Sequence, residues 1–320
     1  MKKLIENPVV SVVVAAYNHE KFILPLLESI MAQTYQNFEI VAINDGSKDN
    51  TPKLIDEFAK KYPDRIIFTS QQNIGFVKTI NRAFKMCRGK YIAPVGSDDI
   101  WLPQKLEEQV KKIEDDPVLS IVYCDIEVMD ESGRIYSRFH KSVKPYEGQV
   151  TNQLFASNFI SGIAVMFKIE LFDKYGYWDE RYNIACDYEF SLRVSPFVKV
   201  GYVKKVLALY RVHSTSSSLG NELTGTETLE IRERFSSSHP SLITKKYRRL
   251  GLSNSFFMIA EGYSIKGEMA SAANYYLKAL TKNPMKWKAF VGLVFTVSGI
   301  NWYRLKQIIK RKIYSMRATT

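Results

Sequence analysis

The sequence predicts an α/β protein built on an open, mostly parallel sheet with helices on both faces. Three observations carry that reading. Four strand-then-helix alternations fill the first hundred residues. The first strand, Val9-Val10-Ser11-Val12-Val13-Val14-Ala15, is apolar on both faces, as a strand inside a parallel sheet must be. And 320 residues, 46% of them hydrophobic, can bury a large core without disulfide or metal staples.

The elements follow in order. Phe22, Ile23, Leu26, Leu27, Ile30 and Met31 recur at helical spacing behind Asn18, a residue type that caps helix N-termini. Residues 39–44 form a second strand, and Leu54, Ile55, Phe58 and Ala59 mark a second helix. A third strand spans 65–69, a third helix 74–86 and a fourth strand 90–95. Pro94 lacks a ladder donor and so belongs near an edge or an end. A helix over 103–113, an apolar strand over 163–167 and an amphipathic helix opened by Asp187 come next. Residues 214–240, rich in Ser and Thr, read as a linker. Phe256, Ala260, Tyr263, Ala272, Tyr276, Ala279 and Pro284 then fit one tetratricopeptide-like hairpin. A single such repeat must pack on the body, a partner or a membrane.

Charge is unevenly placed. From residue 241 onward there are fifteen Lys and Arg against two acids, a net of +13, which leaves −1 on the first 240 residues. A near-neutral body with a basic C-terminal quarter argues for a docking segment and against nucleic-acid binding. Cys87, Cys124 and Cys186, an odd set with no close pair, exclude a disulfide scaffold and a cysteine-based zinc site. The N-terminus has no apolar run of the signal-peptide kind, so a cytoplasmic protein is expected.

In open α/β sheets ligands bind beyond the carboxyl ends of the strands. Those ends carry Ala16-Tyr17-Asn18, Asp45-Gly46-Ser47, Gln71-Gln72-Asn73 and Gly96-Ser97-Asp98-Asp99. Two adjacent carboxylates repel unless a cation or donors compensate, which suits Mg²⁺ or Mn²⁺ shared with substrate phosphates. The alternative is that Asp99 caps the helix that follows. Neither GxGxxG nor GxxxxGK[ST] occurs, so bound phosphates would be neutralised by metal and side chains.

Val-Ser-Val-Val-Val-Ala-Ala-Tyr-Asn, Gln33-Thr34-Tyr35-Gln36-Asn37-Phe38-Glu39-Ile40-Val41 and Asn44-Asp45-Gly46-Ser47-Lys48-Asp49-Asn50-Thr51 resemble the opening of a family 2 glycosyltransferase. Asn73-Ile74-Gly75, Lys90-Tyr91-Ile92 and Ser97-Asp98-Asp99 continue the resemblance in order. Gly176-Tyr177-Trp178-Asp179-Glu180, Cys186-Asp187-Tyr188-Glu189 and Tyr210-Arg211-Val212-His213-Ser214 are similar to the family's acceptor half. The match runs over residues 8–218. It implies a GT-A fold, a nucleotide-sugar donor, most commonly a UDP-sugar, and inversion at the anomeric carbon. It divides the chain into a nucleotide-sugar-binding half (1–100), an acceptor-binding and catalytic half (101–220) and a basic helical region (221–320).

By position, the resemblance assigns Ala16, Tyr17, Asn18 and Asp45 to the nucleoside, Asp98 to the ribose or donor sugar, and Asp99 to the Mn²⁺ or Mg²⁺ that bridges the diphosphate. Lys78, Arg211 and His213 are diphosphate contacts, the last two on a loop that closes over the donor in relatives. Asp187 is the catalytic base, with Glu189 as its competitor and helix capping as its other reading. Such a base takes the acceptor hydroxyl proton while charge on the departing diphosphate is stabilised from the other side. Ser161 and Gly162 fall near where relatives hold acceptors, and Trp178 reads either as a platform that stacks on an acceptor sugar or as a core residue. Three positions depart from the family pattern: Gly96 and Cys186, where relatives carry acids, and Ile80, where many carry arginine.

Trp287, Phe290, Val291, Leu293, Val294, Phe295 and Val297 form an apolar stretch too short to span a bilayer. Trp302, Tyr303, Lys306, Lys310, Arg311 and Lys312 follow it. Aromatics beside a basic cluster suit a helix lying on an anionic membrane surface; a helix packed in the C-terminal bundle is the other reading. The expectation is a metal-dependent inverting glycosyltransferase that extends a bacterial surface glycan, O-antigen or capsule, on a glycan or lipid-linked acceptor at the inner membrane face. A sugar nucleotidyltransferase and an inactive scaffold using its helical tail are the alternatives.

Overall fold

The parallel part of the sheet is built first along the chain. The computed structural model describes residues 4–214, 216 and 221–299. In it β1 (Val10–Ala16), α1 (Ile23–Met31), β2 (Phe38–Asp45), α2 (Thr51–Lys61), β3 (Ile66–Gln71), α3 (Phe76–Phe84) and β4 (Tyr91–Gly96) alternate as the sequence predicts. The strands stand in the order β3-β2-β1-β4, all parallel. Every residue of β1 and β2 is buried, which is why both faces had to be apolar. Because β4 joins β1 on the side away from β2, the carboxyl ends of β1 and β4 flank a topological switch point.

The sheet continues through β5 (Ile100–Trp101), α4 (Lys105–Asp115), β6 (Leu119–Asp130) and β7 (Ile135–Arg138). After α5 (Thr151–Ala156) come β8 (Val165–Lys168), α6 (Glu170–Tyr175), α7 (Cys186–Val194) and β9 (Lys199–Val212). Beyond β4 the order is β8-β6-β9-β5, with β7 on β6. β8 runs antiparallel to β4, with Tyr91 opposite Lys168 and Ile92 opposite Phe167. Its N-terminal end therefore points to the same rim as the carboxyl ends of β1 and β4.

Two local expectations are corrected. Asn18 is not the cap of α1: it adopts φ 53° in the loop before the helix, and the cap position belongs to Phe22. The Asn18 side chain instead accepts a hydrogen bond from the Lys48 amide (2.8 Å), tying the β1 loop to the β2 loop. Pro94 sits inside the sheet, paired with Val13, not at an edge. The β4–β8 pairing ends at Ile92, so no β8 residue stands opposite the proline.

The chain divides into two units, the sheet unit (residues up to 150, with 158–214) and a helical unit (151–157, with 215 onward). The helical unit holds α5, α8 (Asn221–Ser238), α9 (Lys245–Lys266), α10 (Met269–Lys282) and α11 (Trp287–Val297). The Ser- and Thr-rich stretch read as a linker is thus largely helix. Its buried positions are mostly small or polar, Gly225, Glu227, Thr228 and Arg232, with Ile231 and Phe235 the large apolar ones, so the apolar period in the sequence is weak. A Cβ on Gly225 would lie 2.7 Å from the Ile259 amide, and one on Gly262 would lie 2.3 Å from that of Glu222. These glycines let the two backbones meet. Ala260, Ala272, Tyr276, Ala279 and Ala289 form the core of α9–α11, where the tetratricopeptide-like pattern was read. Trp302, Tyr303, Lys306, Lys310, Arg311 and Lys312 lie outside the described residues.

Candidate active site

The rim at the carboxyl ends of β1, β2 and β4 is organised by carboxylates, and they do different jobs. Asp45, at the end of β2, is buried and fully engaged. Its Oδ1 accepts from Gln71 Nε2 (2.9 Å) and the Ile74 amide (3.0 Å), and its Oδ2 accepts from the Gly75 amide (3.0 Å). It clamps the loop that leads into α3. Gly46 follows with φ +74°, and a Cβ there would come 2.6 Å from the Asn73 amide. Ala16 is buried at the end of β1, while Tyr17 stands 43% exposed beside it. Lys78 is exposed near the start of α3.

At the switch point the two adjacent aspartates differ in burial and in partners. Asp99 is turned inward, and its Oδ1 accepts from the Arg211 amide (2.8 Å). Burial and the neighbouring Asp98 carboxylate push its pKa well above the usual carboxylate range. Asp98 is half-buried, and its Oδ2 lies 2.9 Å from His213 Nε2. His19, in the β1 loop, completes a group of three: ligand atoms of His19, Asp98 and His213 lie within 4.8 Å of one another. Ser97 Oγ stands 2.6 Å from His19 Nδ1, which fixes the ring and leaves Nε2 as the nitrogen to ligate. Burial lowers the His19 pKa against the pull of Asp98, favouring the neutral, ligating imidazole. One carboxylate and two imidazoles suit a divalent cation.

Asp99, the residue to which the resemblance assigns the metal, is outside the group of three, its Oδ1 accepting from the β9 backbone, and Asp98 is the carboxylate within the group. Gly96 leaves room for both, since a Cβ there would lie 2.4 Å from Asp99 Oδ2 and 2.9 Å from Asp98 Oδ1. A larger side chain at Gly96 would force one of these carboxylates to shift. Arg211 is corrected. It belongs to β9 rather than to a closing loop, is 6% exposed, and donates from Nε to the Asp98 carbonyl (2.7 Å) and from a terminal nitrogen to the Glu131 carbonyl (3.1 Å). Its guanidinium holds the aspartate loop in place.

Asp187 opens α7 and is half-buried. Its Oδ1 accepts from the Tyr188 amide (2.7 Å). Desolvation pushes its pKa up to about 6, against the N–H donors of Tyr188 and Gly162. Gly162 begins the short turn before β8, so the β4–β8 register sets Asp187 on the rim. The turn is pinned by Trp101 Nε1 on the Ile163 carbonyl (3.2 Å) and by Gln109 Nε2 on the Ala164 carbonyl (2.7 Å). Ser161 lies at its start, its carbonyl accepting from the Ala164 amide. Glu189, the competing base, is bound to Arg193 through both oxygens at 2.8 and 2.9 Å.

Trp178 is corrected as an acceptor platform. It is 4% exposed, edge-on to Phe84, and its backbone is held on both sides by Asn81, at 2.8 and 3.1 Å. It is core. The residue that sequence reasoning missed is His19. The chain has only four histidines, and two of them fall in the loops at this rim, which was the available signal.

Comparison with known proteins matches residues 11–176 to a model described as Glycosyl transferase family 2. A glycosyltransferase of Rickettsia prowazekii (strain Madrid E) is 31% identical over 241 residues, 72% of this chain and 72% of its own length. A chondroitin synthase of Escherichia coli is 26% identical over 245 residues, 77% of this chain and 33% of the synthase. Among solved structures, S. aureus TarS 1–349 in complex with UDP-GlcNAc aligns with a TM-score of 0.59 at 15% identity, covering 95% of this chain and 92% of that one. A mannosyltransferase from Pyrobaculum calidifontis in complex with GDP-Man and Mn²⁺ aligns at 0.64 and 16%, covering 96% and 85%. At such identities the structural likeness speaks for the fold alone: the mixed sheet of nine strands among the described residues is of the GT-A kind.

Proposed function

The chain belongs to glycosyltransferase family 2, and on that premise we propose that it is an inverting, metal-dependent enzyme that moves a sugar from a UDP-sugar to a hydroxyl of a glycan or lipid-linked acceptor. The acceptor is part of a bacterial surface polysaccharide assembled at the inner face of the cytoplasmic membrane. One observation carries the reading: a carboxylate whose pKa is raised to about 6 shares a rim with a three-ligand cation group at the switch point of the sheet.

In this reading Asp98, His213 and His19 hold the cation, and Tyr17 covers the nucleobase. The cation supplies Lewis-acid stabilisation of the charge that grows on the diphosphate. Asp187 accepts the proton of the acceptor hydroxyl as the new oxygen–carbon bond forms and the bond to the diphosphate oxygen breaks. Its pKa near 6 leaves it ionised at neutral pH yet basic enough to take the proton. Gly162 keeps the Asp187 carboxylate in place by having no side chain, and Arg211 and Asp99 keep Asp98 facing the donor.

Donor consumption tests it. With Mn²⁺ and a bacterial membrane extract as acceptor source, the protein is expected to release UDP from at least one of a panel of UDP-sugars. Asp187→Asn should slow that release by roughly 100-fold or more. Release from no UDP-, GDP- or dTDP-sugar would overturn the donor class, and unchanged release in Asp187→Asn would move the base elsewhere.

A further inference from the structure

The last described helix of the helical unit presents two unlike faces, and packing fixes which one looks outward. Gly292 lies against the Tyr276 ring so closely that a Cβ there would come 2.4 Å from its Cζ. Tyr276 is itself held by its hydroxyl on Glu261 Oε1 (2.8 Å). Ala289, Gly292 and Thr296 are thereby turned into the bundle and buried. On the opposite side Trp287, Phe290, Val294 and Val297 fall within one narrow arc of the helix at spacings of three and four residues. They are 65%, 58%, 46% and 73% exposed. Four large apolar side chains in one exposed stripe are a patch that needs a cover.

Charge decides what covers it. Residues 269–320 contain ten Lys and Arg and no Asp or Glu. Lys288 is exposed on α11 itself, with Lys278 exposed on α10. A protein partner would have to match an apolar stripe and a segment of unbroken positive charge. An anionic bilayer offers both at once: acyl chains for the stripe and phosphate headgroups for the lysines and arginines. Among the described residues no helix is long and apolar enough to cross a membrane, so the contact is a surface one.

We infer that the Trp287–Phe290–Val294–Val297 face of α11 seats on an anionic phospholipid surface. This deepens the membrane-associated reading above by naming the surface that makes the contact. It rests on packing within the helical unit and is independent of the donor chemistry.

The test is co-sedimentation of the full chain with vesicles of phosphatidylglycerol and phosphatidylcholine, beside vesicles of phosphatidylcholine alone. The wild type is expected to pellet with the anionic vesicles and to release as salt rises. The double variant Phe290→Glu, Val294→Glu should partition roughly tenfold more weakly or worse. Both positions are exposed, so its thermal unfolding midpoint should match the wild type, and a milder Phe290→Ser, Val297→Ser variant gives the same reading if it does not. A wild type that stays in the supernatant would overturn the inference. Equal pelleting of wild type and variants would overturn it as well, because the contact would then be electrostatic only. Self-association that the variants abolish, without vesicle binding, would assign the stripe to a second copy instead. UDP binding measured on the same samples keeps loss of the donor site distinct from loss of the lipid surface.

Discussion

Oδ2 of Asp187 occupies the place where a side chain on Gly162 would begin: a Cβ built on that glycine comes within 2.8 Å of it. The position of the proposed base thus depends on a missing methyl group. Gly162→Ala should push Asp187 off its position and lower the rate of sugar transfer by roughly 10- to 100-fold, since misplacement of a reacting group by an ångström costs that order of rate. The fold should survive, because a short side chain and not the backbone has to move. Rate and thermal midpoint measured together check this.

Asp187 itself is expected to cost stability. Its pKa of about 6 stands above the 3.8 of a free side chain, so between about pH 4 and 6 the native state holds a proton that the unfolded chain has released. Stability therefore falls as pH rises through that window, and the whole penalty is present above about 6. Asp187→Asn, whose amide oxygen can still accept from Tyr188, should be more stable than the wild type at pH 8 by about 1–3 kcal/mol. At pH 4 the gain should vanish. Urea denaturation at the two pH values reads both.

The pH–rate profile should carry the same group. Transfer needs Asp187 ionised, so kcat/KM is expected to fall below about pH 6. Glu189→Gln should keep that acid limb where it is, because Glu189 is occupied by Arg193 and faces no proton to take. An acid limb that moves or disappears in Glu189→Gln would reverse the roles of the two acids.

Most of the fold was legible in the sequence. β1 and β2 are buried on both faces, so apolar residues fill them and the strand assignment follows directly. α8 was not legible, because its inner face mixes glycine, glutamate, threonine and arginine with only two large apolar residues, Ile231 and Phe235, and close backbone approach leaves a weak apolar period. The aspartates of the rim were readable as a set but not by role. Which of two neighbouring carboxylates turns inward depends on the Arg211 amide, more than a hundred residues away in the chain. His19 could not be weighed until β1 and β4 stood side by side.

The two aspartates should therefore fail differently. Asp99→Ala leaves the buried Arg211 amide without its acceptor and should cost about 1–3 kcal/mol of stability. Asp98→Ala should lose cation binding, and it also removes the carboxylate that faces the buried His213 Nε2. Titration of Mn²⁺ alone separates the two variants, and Mn²⁺ binding that survives in Asp98→Ala but is lost in Asp99→Ala would contradict the division.

The most direct measurement is calorimetric titration of UDP into the wild type, Asp98→Ala and His19→Ala, each with and without Mn²⁺. Mn²⁺ is expected to tighten UDP binding to the wild type by roughly tenfold or more, an effect of the size that a charged, coordinated contact supplies. Both variants are expected to lose that gain while keeping the weaker cation-free binding. UDP affinity that is the same with and without Mn²⁺, or a Mn²⁺ effect untouched in both variants, would contradict the proposed cation site.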